Sequence, residues 1–215
     1  MQLNKDGTVN KFDKGRAQVR KHILDSSFQV ISHNSLADVS MLSLADAAKV
    51  SRQTLYKYFP TMDDIILGIK NQIDEGGVNA MLPIANDRNR KGKETLLAIG
   101  KAFFELSHQD PNRFTFLARF SNSPTASEMT AYYSQLFART VSIEKIIIAG
   151  QKDGSIRADI DPAVEAISLI TDTIGLTMRL VTAKPKTTIH DRVLDYQAIE
   201  ANFIDMVDVY LTPRK

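Results

Sequence analysis

Apolar residues recur at helical intervals along most of the chain. From Lys14 to Ile31 they are spaced three and four residues apart, as on an amphipathic helix that packs on one side. This first stripe consists of Val19, Ile23, Leu24, Phe28 and Ile31. No segment reads as a run of strands, so the pattern predicts an all-α chain. The polar segment Met1 to Asp13 is predicted to be a mobile arm.

A second, shorter pattern spans Ser40 to Phe59. Serine is a favoured cap residue, and Ser40 and Ser51 stand at positions where two short helices can begin, eleven residues apart. The first helix has its own apolar stripe, formed by Met41, Leu44, Ala45 and Ala48. Two short helices joined by only Lys49-Val50 must turn sharply, which predicts a helix-turn-helix.

The second of these helices carries a distinctive outward face. At about 3.6 residues per turn, Leu55 and Phe59 point inward and the polar residues point away. No carboxylate occurs from Val50 to Thr61. Arg and Gln can read base edges, and Lys, Thr and Tyr can bond phosphates, so we predict DNA binding, with a plain solvated helix face as the alternative. The predicted DNA-binding residues are Ser40, Ser51, Arg52, Gln53, Thr54, Tyr56, Lys57 and Tyr58.

The segments Leu44 to Ser51 and Thr54 to Phe59 resemble the DNA-binding signature of the TetR/AcrR family of transcriptional regulators. The resemblance implies an N-terminal three-helix DNA-binding domain followed by a helical bundle for ligand binding and dimerisation. It also implies that Gln53 and its neighbours enter the major groove, while Tyr56 and Lys57 contact the backbone or nearby bases.

Two positions depart from the family pattern. Lys49 occupies the turn position where the family usually has glycine, which predicts a left-handed lysine at a cost of about 1–2 kcal/mol. Met62 replaces a lysine common at the start of the following helix, so one phosphate contact should be lost there. The backbone N–H groups of that helix start can still face an anion.

The remainder is predicted to be helical. After Pro60, Thr61 and Asp64 form a capping pair for a connecting helix whose isoleucines keep to one face, and Gly76-Gly77 is predicted to weaken or end it. A surface loop is predicted from Asn86 to Lys93. A capping residue followed by proline then recurs at Asp110-Pro111, Ser123-Pro124 and Asp161-Pro162, which brackets helices near 94–109, 111–121, 124–152, 162–182 and 191–211. The predicted domains are 1–60 for the arm and DNA-binding unit, 61–82 for the connecting helix and 83–215 for the ligand-binding and dimerisation unit.

Composition adds modest support. The net charge of +2 over 215 residues divides into +4 for residues 1–60 and −2 for the remainder, so the basic excess lies with the proposed reading helix. With 43% hydrophobic residues the chain can bury a sizeable core, and without cysteine it has no disulfides and no thiolate sites. No long apolar run or signal core is present, so we expect a soluble protein of the cytoplasm, without a membrane partner.

The middle helices are rich in aromatic residues, which are usually core. A helical bundle can nevertheless keep a cavity between its helices, and the family resemblance implies a small-molecule effector there. The predicted ligand-binding residues are Phe103, Phe104, Phe114, Leu117, Phe120, Tyr133, Phe137 and Met178. Polar candidates are His108, Arg119, Tyr133 and Arg179, each of which also suits a surface or structural role.

The helices near 162–182 and 191–211 carry apolar stripes broader than one core face needs, which indicates a second partner. The resemblance implies a homodimer joined by a four-helix interface. A twofold dimer also makes physical sense, because two reading helices about 34–36 Å apart would meet successive major grooves of a palindromic site.

The sequence contains no motif that indicates an enzyme. The four histidines are scattered without metal-ligand spacing, and no phosphate loop or nucleophile motif is present, so no catalytic residue, metal or cofactor is predicted. A helical enzyme built from distant residues stays an alternative, as does a helical small-molecule-binding protein with weak or lost DNA binding. The favoured prediction is a TetR-type repressor that binds a palindromic operator as a dimer, under the control of a small effector.

Overall fold

A computed structural model describes residues 11–120, 139, 142–183, 186–189 and 192–214. The predicted helical architecture is confirmed, with one two-stranded hairpin as the exception among the described residues. The helices are α1 Lys11–His33, α2 Met41–Ala47, α3 Arg52–Tyr58, α4 Met62–Ala85, α5 Gly92–Gln109, α6 Pro111–Phe120, α7 142–152, α8 Pro162–Val181 and α9 Tyr196–Leu211, with a short 3-10 turn at Leu36–Asp38. The chain forms two compact units, residues 1–74 and 75–215.

The N-terminal unit is built around the predicted apolar stripes. Ile23, Leu24 and Ile31 of α1 are buried together with residues of the helix-turn-helix. The buried residues of α2, α3 and the start of α4 are Leu44, Ala45, Ala48, Leu55, Phe59, Ile65, Ile66 and Ile69. Helix α1 packs directly on α2, and α2 packs on α3. This core fixes which side of α3 faces outward.

Helix α4 is longer than predicted. It runs through Gly76-Gly77 to Ala85, so the prediction that the glycine pair ends the helix is wrong. Glycine in a helix interior costs roughly 0.5–1 kcal/mol relative to alanine but creates no clash, so good helix-forming neighbours can carry the helix through it. Pro83 lies in the last turn of α4, where it removes one backbone hydrogen bond of the helix.

The C-terminal unit consists of the rest of α4 and helices α5 to α9. Leu96, Ile147, Ile156, Ala166 and Leu211 form a buried cluster that joins four of these helices and the turn after α7. The predicted helices 94–109, 111–121 and 162–182 are confirmed to within two residues at each end. The Asp161 carboxylate accepts hydrogen bonds from the N–H groups of Ala163 and Val164, as predicted from Asp161-Pro162.

The junction between α5 and α7 depends on two glycines. Gly92 opens α5 and lies against Gly150 so closely that a methyl group on Gly92 would stand 2.4 Å from the Gly150 Cα atom. The turn after α7 caps α5, since Gly92 N–H donates to Asp153 Oδ2 at 2.9 Å and Lys93 N–H to Ser155 Oγ at 3.1 Å. In this turn Gly154 has a φ of 76°, a left-handed conformation that glycine adopts without strain. Because α5 starts at Gly92, the end of the predicted loop Asn86 to Lys93 is wrong by two residues.

The helix predicted near 191–211 begins later than expected. It starts at Tyr196, and residues before it form a hairpin of two antiparallel strands, β1 Lys186–Ile189 and β2 Arg192–Asp195, with Ile189 paired to Arg192. The threonine pair and the neighbouring isoleucine and valine were the available signal, since β-branched residues favour strands. Ser123-Pro124 and the first part of the predicted helix 124–152 lie outside the described residues.

No helix among the described residues is long and apolar enough to cross a membrane.

Two charged residues near the start of α8, Arg157 and Glu165, are buried. Arg157, which is largely buried, donates from Nε to Asp159 Oδ1 at 2.6 Å and from Nη2 to Asp159 Oδ2, and its guanidinium lies over the Tyr210 ring at 5.3 Å. The Arg157 hydrogen bonds lower the pKa of Asp159 to about 2. Glu165 is only 9% exposed, and burial raises its pKa, with a further contribution from Asp172 and an opposing one from Arg157.

The raised pKa of Glu165 predicts a pH-dependent stability. Between the ordinary and the raised pKa the unfolded chain releases the Glu165 proton while the folded chain keeps it, so this residue makes the protein less stable as pH rises. We therefore expect Glu165→Gln to gain stability relative to the wild type from pH 4 to pH 8, as measured by urea unfolding. If the free energy of unfolding of the wild type instead rose relative to that of Glu165→Gln at higher pH, this assignment would be contradicted.

Candidate nucleic-acid interface

Both short helices of the N-terminal unit begin at the predicted serine caps. Ser40 Oγ accepts a hydrogen bond from the N–H of Ser43 at 3.1 Å, and Ser43 Oγ accepts one from the N–H of Ser40 at 3.0 Å. Ser51 Oγ accepts from the N–H of Thr54 at 3.0 Å and lies 2.8 Å from Thr54 Oγ1. These hydroxyls satisfy N–H groups that a helix start leaves free, so they fix where α2 and α3 begin.

The turn between α2 and α3 is a Schellman motif with lysine in the glycine position. Val50 N–H donates to the Ala45 carbonyl at 3.0 Å, and Lys49 N–H donates to the Asp46 carbonyl at 3.1 Å. Lys49 has a φ of 52°, so the predicted left-handed lysine is confirmed. The strain of about 1–2 kcal/mol must be offset by the packing around the turn.

Helix α3 presents one apolar and one polar side. Leu55 and Phe59, the residue just after the helix, are buried. Arg52, Gln53 and Lys57 are exposed. Tyr56 is 50% exposed, and Thr54 and Tyr58 are half-buried at the edges of the polar side. The helix contains no acidic residue, so its outward face combines cations, an amide and phenols without a carboxylate.

The start of α4 borders this surface in sequence. Thr61 N–H donates to Asp64 Oδ2 at 2.9 Å, and Asp64 N–H donates to Thr61 Oγ1 at 3.1 Å, which confirms the predicted capping pair. Met62 is the first residue of α4, and its side chain carries no positive charge that could bind a phosphate.

One basic residue beside α3 was missed from the sequence. Arg20 of α1 is exposed, and its guanidinium carbon lies 5.0 Å from the centre of the Phe59 ring. A cation is thereby held at the C-terminal end of α3, where the helix dipole also favours positive charge. The signal in the sequence was the set of basic residues on α1, namely Lys14, Arg16, Arg20 and Lys21, all of which are exposed.

The predicted effector residues separate into several groups. Phe103 and Phe114 meet edge to face with ring centres 5.4 Å apart, whereas Phe104 turns toward α9 and meets Phe203 at 6.0 Å. Phe120 lies against Phe116. Leu117 and Met178 are half-buried, and Tyr133 and Phe137 lie outside the described residues.

A groove of about 340 Å³ lies between α5 and α9. Its lining combines buried apolar side chains with charged and polar ones; the lining residues are Lys101, Phe104, Glu105, His108, Gln197, Glu200, Ala201, Ile204 and Asp205. Phe104 is the one residue that this lining shares with the predicted ligand-binding set. His108 Nε2 lies 3.0 Å from Glu200 Oε1, so this polar candidate is paired inside the unit. In the described part of the chain, no three His, Asp or Glu side chains are grouped to hold a metal ion.

Comparison with known families and proteins matches the segment that contains the helix-turn-helix. Residues 23–69 match the family described as bacterial regulatory proteins, tetR family. The chain is also similar to the HTH-type transcriptional regulator EthR of Mycobacterium tuberculosis (strain ATCC 25618 / H37Rv), with 25% identity over 134 residues. That match covers 61% of this chain and 60% of the relative, so the chain spans less than two thirds of its length.

Solved structures share the fold over most of this chain. The transcriptional regulator FadR from Bacillus subtilis, solved in complex with stearoyl-CoA, is similar with a TM-score of 0.71 and 17% identity, covering 88% of this chain and 98% of FadR. AibR, solved in complex with isovaleryl coenzyme A and operator DNA, is similar with a TM-score of 0.64 and 16% identity, covering 87% of this chain and 97% of AibR. At these identities the likeness establishes the fold alone.

Proposed function

We propose that this chain, which belongs to the TetR family of bacterial regulatory proteins, is a transcriptional repressor that binds a palindromic operator as a dimer. The observation that carries the proposal is the outward face of α3, where Arg52, Gln53 and Lys57 are exposed on a short helix without carboxylates. Such a protein acts on chromosomal DNA, in the cytoplasm, as a binding protein and not as an enzyme.

The exposed side chains of α3 have distinct proposed roles. Gln53 and Arg52 are the candidates for base edges in the major groove, since amide and guanidinium groups can form paired hydrogen bonds with bases. Lys57, Tyr56 and Tyr58 are candidates for phosphate contacts that set the position of the helix on the duplex. Ser40, Ser51 and Thr54 contribute mainly by capping, with their hydroxyls already bonded within the motif.

Control by an effector is the second part of the proposal. The effector binds among the helices of residues 83–215 and favours an arrangement of the two reading helices that fits DNA less well, and the difference in affinity between the two arrangements supplies the coupling. Helix α4 contributes residues to both compact units and is the proposed connection between them. Acyl-CoA thioesters are the first class to screen, because FadR and AibR were solved with them.

Salt dependence of DNA binding tests the proposal. Affinity for the region upstream of the chain's own gene should fall steeply as salt rises, because each neutralised phosphate releases counterions. Lys57→Ala should weaken binding to all sequences and reduce the slope by about two for a dimer, one for each protomer. Lys152→Ala, which removes an exposed lysine from the C-terminal unit, is the control and should leave the slope unchanged.

A flat salt response with weak affinity would contradict the DNA-binding proposal. That result would favour the alternative of a helical small-molecule-binding protein whose DNA-reading end no longer functions. Equal slopes for the wild type and Lys57→Ala would remove Lys57 from the interface while leaving the rest of the proposal standing.

A further inference from the structure

The orientation of α3 depends on the turn that precedes it. Helix α3 has seven residues, a length at which a helix has little stability of its own, so its direction must be set by contacts outside it. Leu55 and Phe59 anchor its inner side. The turn sets the angle at which the helix begins, and this turn contains the strained Lys49.

One contact reaches this turn from another helix. His22 Nε2 lies 3.0 Å from the carbonyl oxygen of Ala48, the residue that ends α2, and donates a hydrogen bond to it. Ala48 is 1% exposed, and the carbonyls at the end of a helix have no partner within the helix. His22 is exposed and the bond is part-buried, so losing the donor would leave the carbonyl to weaker contacts at the edge of the core.

The position of His22 on α1 makes this contact rigid. The next two residues, Ile23 and Leu24, are at most 2% exposed, so α1 is fixed in the core at this point. The hydrogen bond therefore ties the carbonyl just before Lys49 to a segment of α1 that is fixed in the core.

We propose that His22 is a positioning residue for DNA recognition: its hydrogen bond to the Ala48 carbonyl holds the α2–α3 turn and thereby the angle at which α3 is presented. The proposal rests on the proposed function for its effect on DNA, but the effect on the turn is independent of it. His22 itself makes no contact with DNA in this account. Its loss should reduce specific binding more than non-specific binding, because base contacts require orientation whereas phosphate attraction does not.

Three variants test the proposal. His22→Ala removes the donor, and His22→Gln keeps an N–H donor at nearly the same reach. Gln18→Ala, one turn earlier on the exposed side of α1, is the matched control. For each variant we would measure amide hydrogen exchange at Lys49 and Val50, whose N–H groups form the turn, and the affinities for operator and for random DNA.

In His22→Ala, exchange at Lys49 and Val50 should rise about fivefold to tenfold and operator affinity should fall by a similar factor, with random-DNA affinity unchanged. His22→Gln should recover both to within about twofold, and Gln18→Ala should match the wild type. Wild-type exchange and operator affinity in His22→Ala would overturn the proposal. Faster exchange throughout residues 11–74, with no rescue by glutamine, would also overturn it, since His22 would then serve general stability alone.

The hydrogen-exchange and DNA-binding measurements distinguish a failure of this proposal from a failure of the proposed function. If no variant and no wild-type protein binds operator DNA, the proposed function fails. The exchange at Lys49 and Val50 still decides whether His22 holds the turn. If exchange rises but operator affinity is unchanged, the positioning role in recognition is overturned while the regulator itself stands.

Discussion

Replacing Gly92 with alanine is expected to lower the free energy of unfolding of the C-terminal unit by about 3 kcal/mol, at the upper end of what overpacking costs. The added methyl group would lie 2.4 Å and 2.5 Å from the Cα and N atoms of Gly150 and 2.8 Å from the Ile146 carbonyl oxygen. All three are backbone atoms, so no side chain can rotate away. Relief requires α5 and α7 to move apart, which would also strain the capping bond from Gly92 N–H to Asp153.

Gly77→Ala is the matched control for this prediction. Gly77 lies inside α4, and a methyl group built there meets no atom within 4 Å. The same chemical change should therefore stabilise the protein by roughly 0.5–1 kcal/mol, because alanine favours a helix over glycine. Urea unfolding of the wild type and both variants gives the two free-energy changes. Equal stability of Gly92→Ala and the wild type would contradict the close packing of α5 on α7.

Val209→Glu is expected to convert the proposed dimer into monomers and to weaken operator binding on the order of a hundredfold, because the two reading helices lose their linkage. Within a single chain, Val209 is 76% exposed and Met206 is 62% exposed, and both lie on α9. Helix α8 adds the exposed Val164 and Ile167. Exposed apolar residues on both of the last two helices favour an interface with a second copy, where a carboxylate would be buried without a partner.

The control is the same substitution at Val78, an exposed valine of α4 in the same compact unit. Val78→Glu should remain dimeric, and Val209→Glu should keep the helical content and melting behaviour of a folded chain. Mass in solution and operator affinity are the measurements. A Val209→Glu protein that stays dimeric, or a wild type that is monomeric at the concentrations used for DNA binding, would contradict the predicted role of α8 and α9.

The local features of the helix-turn-helix could be predicted because their causes are local. A serine before a helix can accept a hydrogen bond from the free N–H group three residues later, and both Ser40 and Ser51 do so. The left-handed conformation of Lys49 was expected because the resembled family usually has glycine at this position, and its φ of 52° agrees. Proline at the first helical position likewise marked the starts of α6 and α8.

Other features depend on contacts that the sequence does not display. The approach of Gly92 to Gly150 joins residues far apart in the chain, and the same residue type at Gly76-Gly77 has no such partner and leaves α4 unbroken. The hairpin Lys186–Ile189 and Arg192–Asp195 is too short for a clear alternation of polar and apolar residues. Most of the predicted effector residues are aromatic, but Phe103 and Phe104 meet different helices because adjacent residues on a helix point in different directions.

Selection of bound sequences from random duplexes tests the central claim most directly, with the wild type and Gln53→Ala compared side by side. The outward face of α3 predicts that the wild type enriches an inverted repeat whose half-site centres lie about one helical turn, 10–10.5 base pairs, apart or a multiple of it. Gln53→Ala should keep that spacing and lose preference at one position in each half-site, because an amide that reads a base edge has been removed. The absence of any enriched sequence for the wild type, or identical preferences for the two proteins, would contradict the assignment of Gln53 and α3 as the reading element.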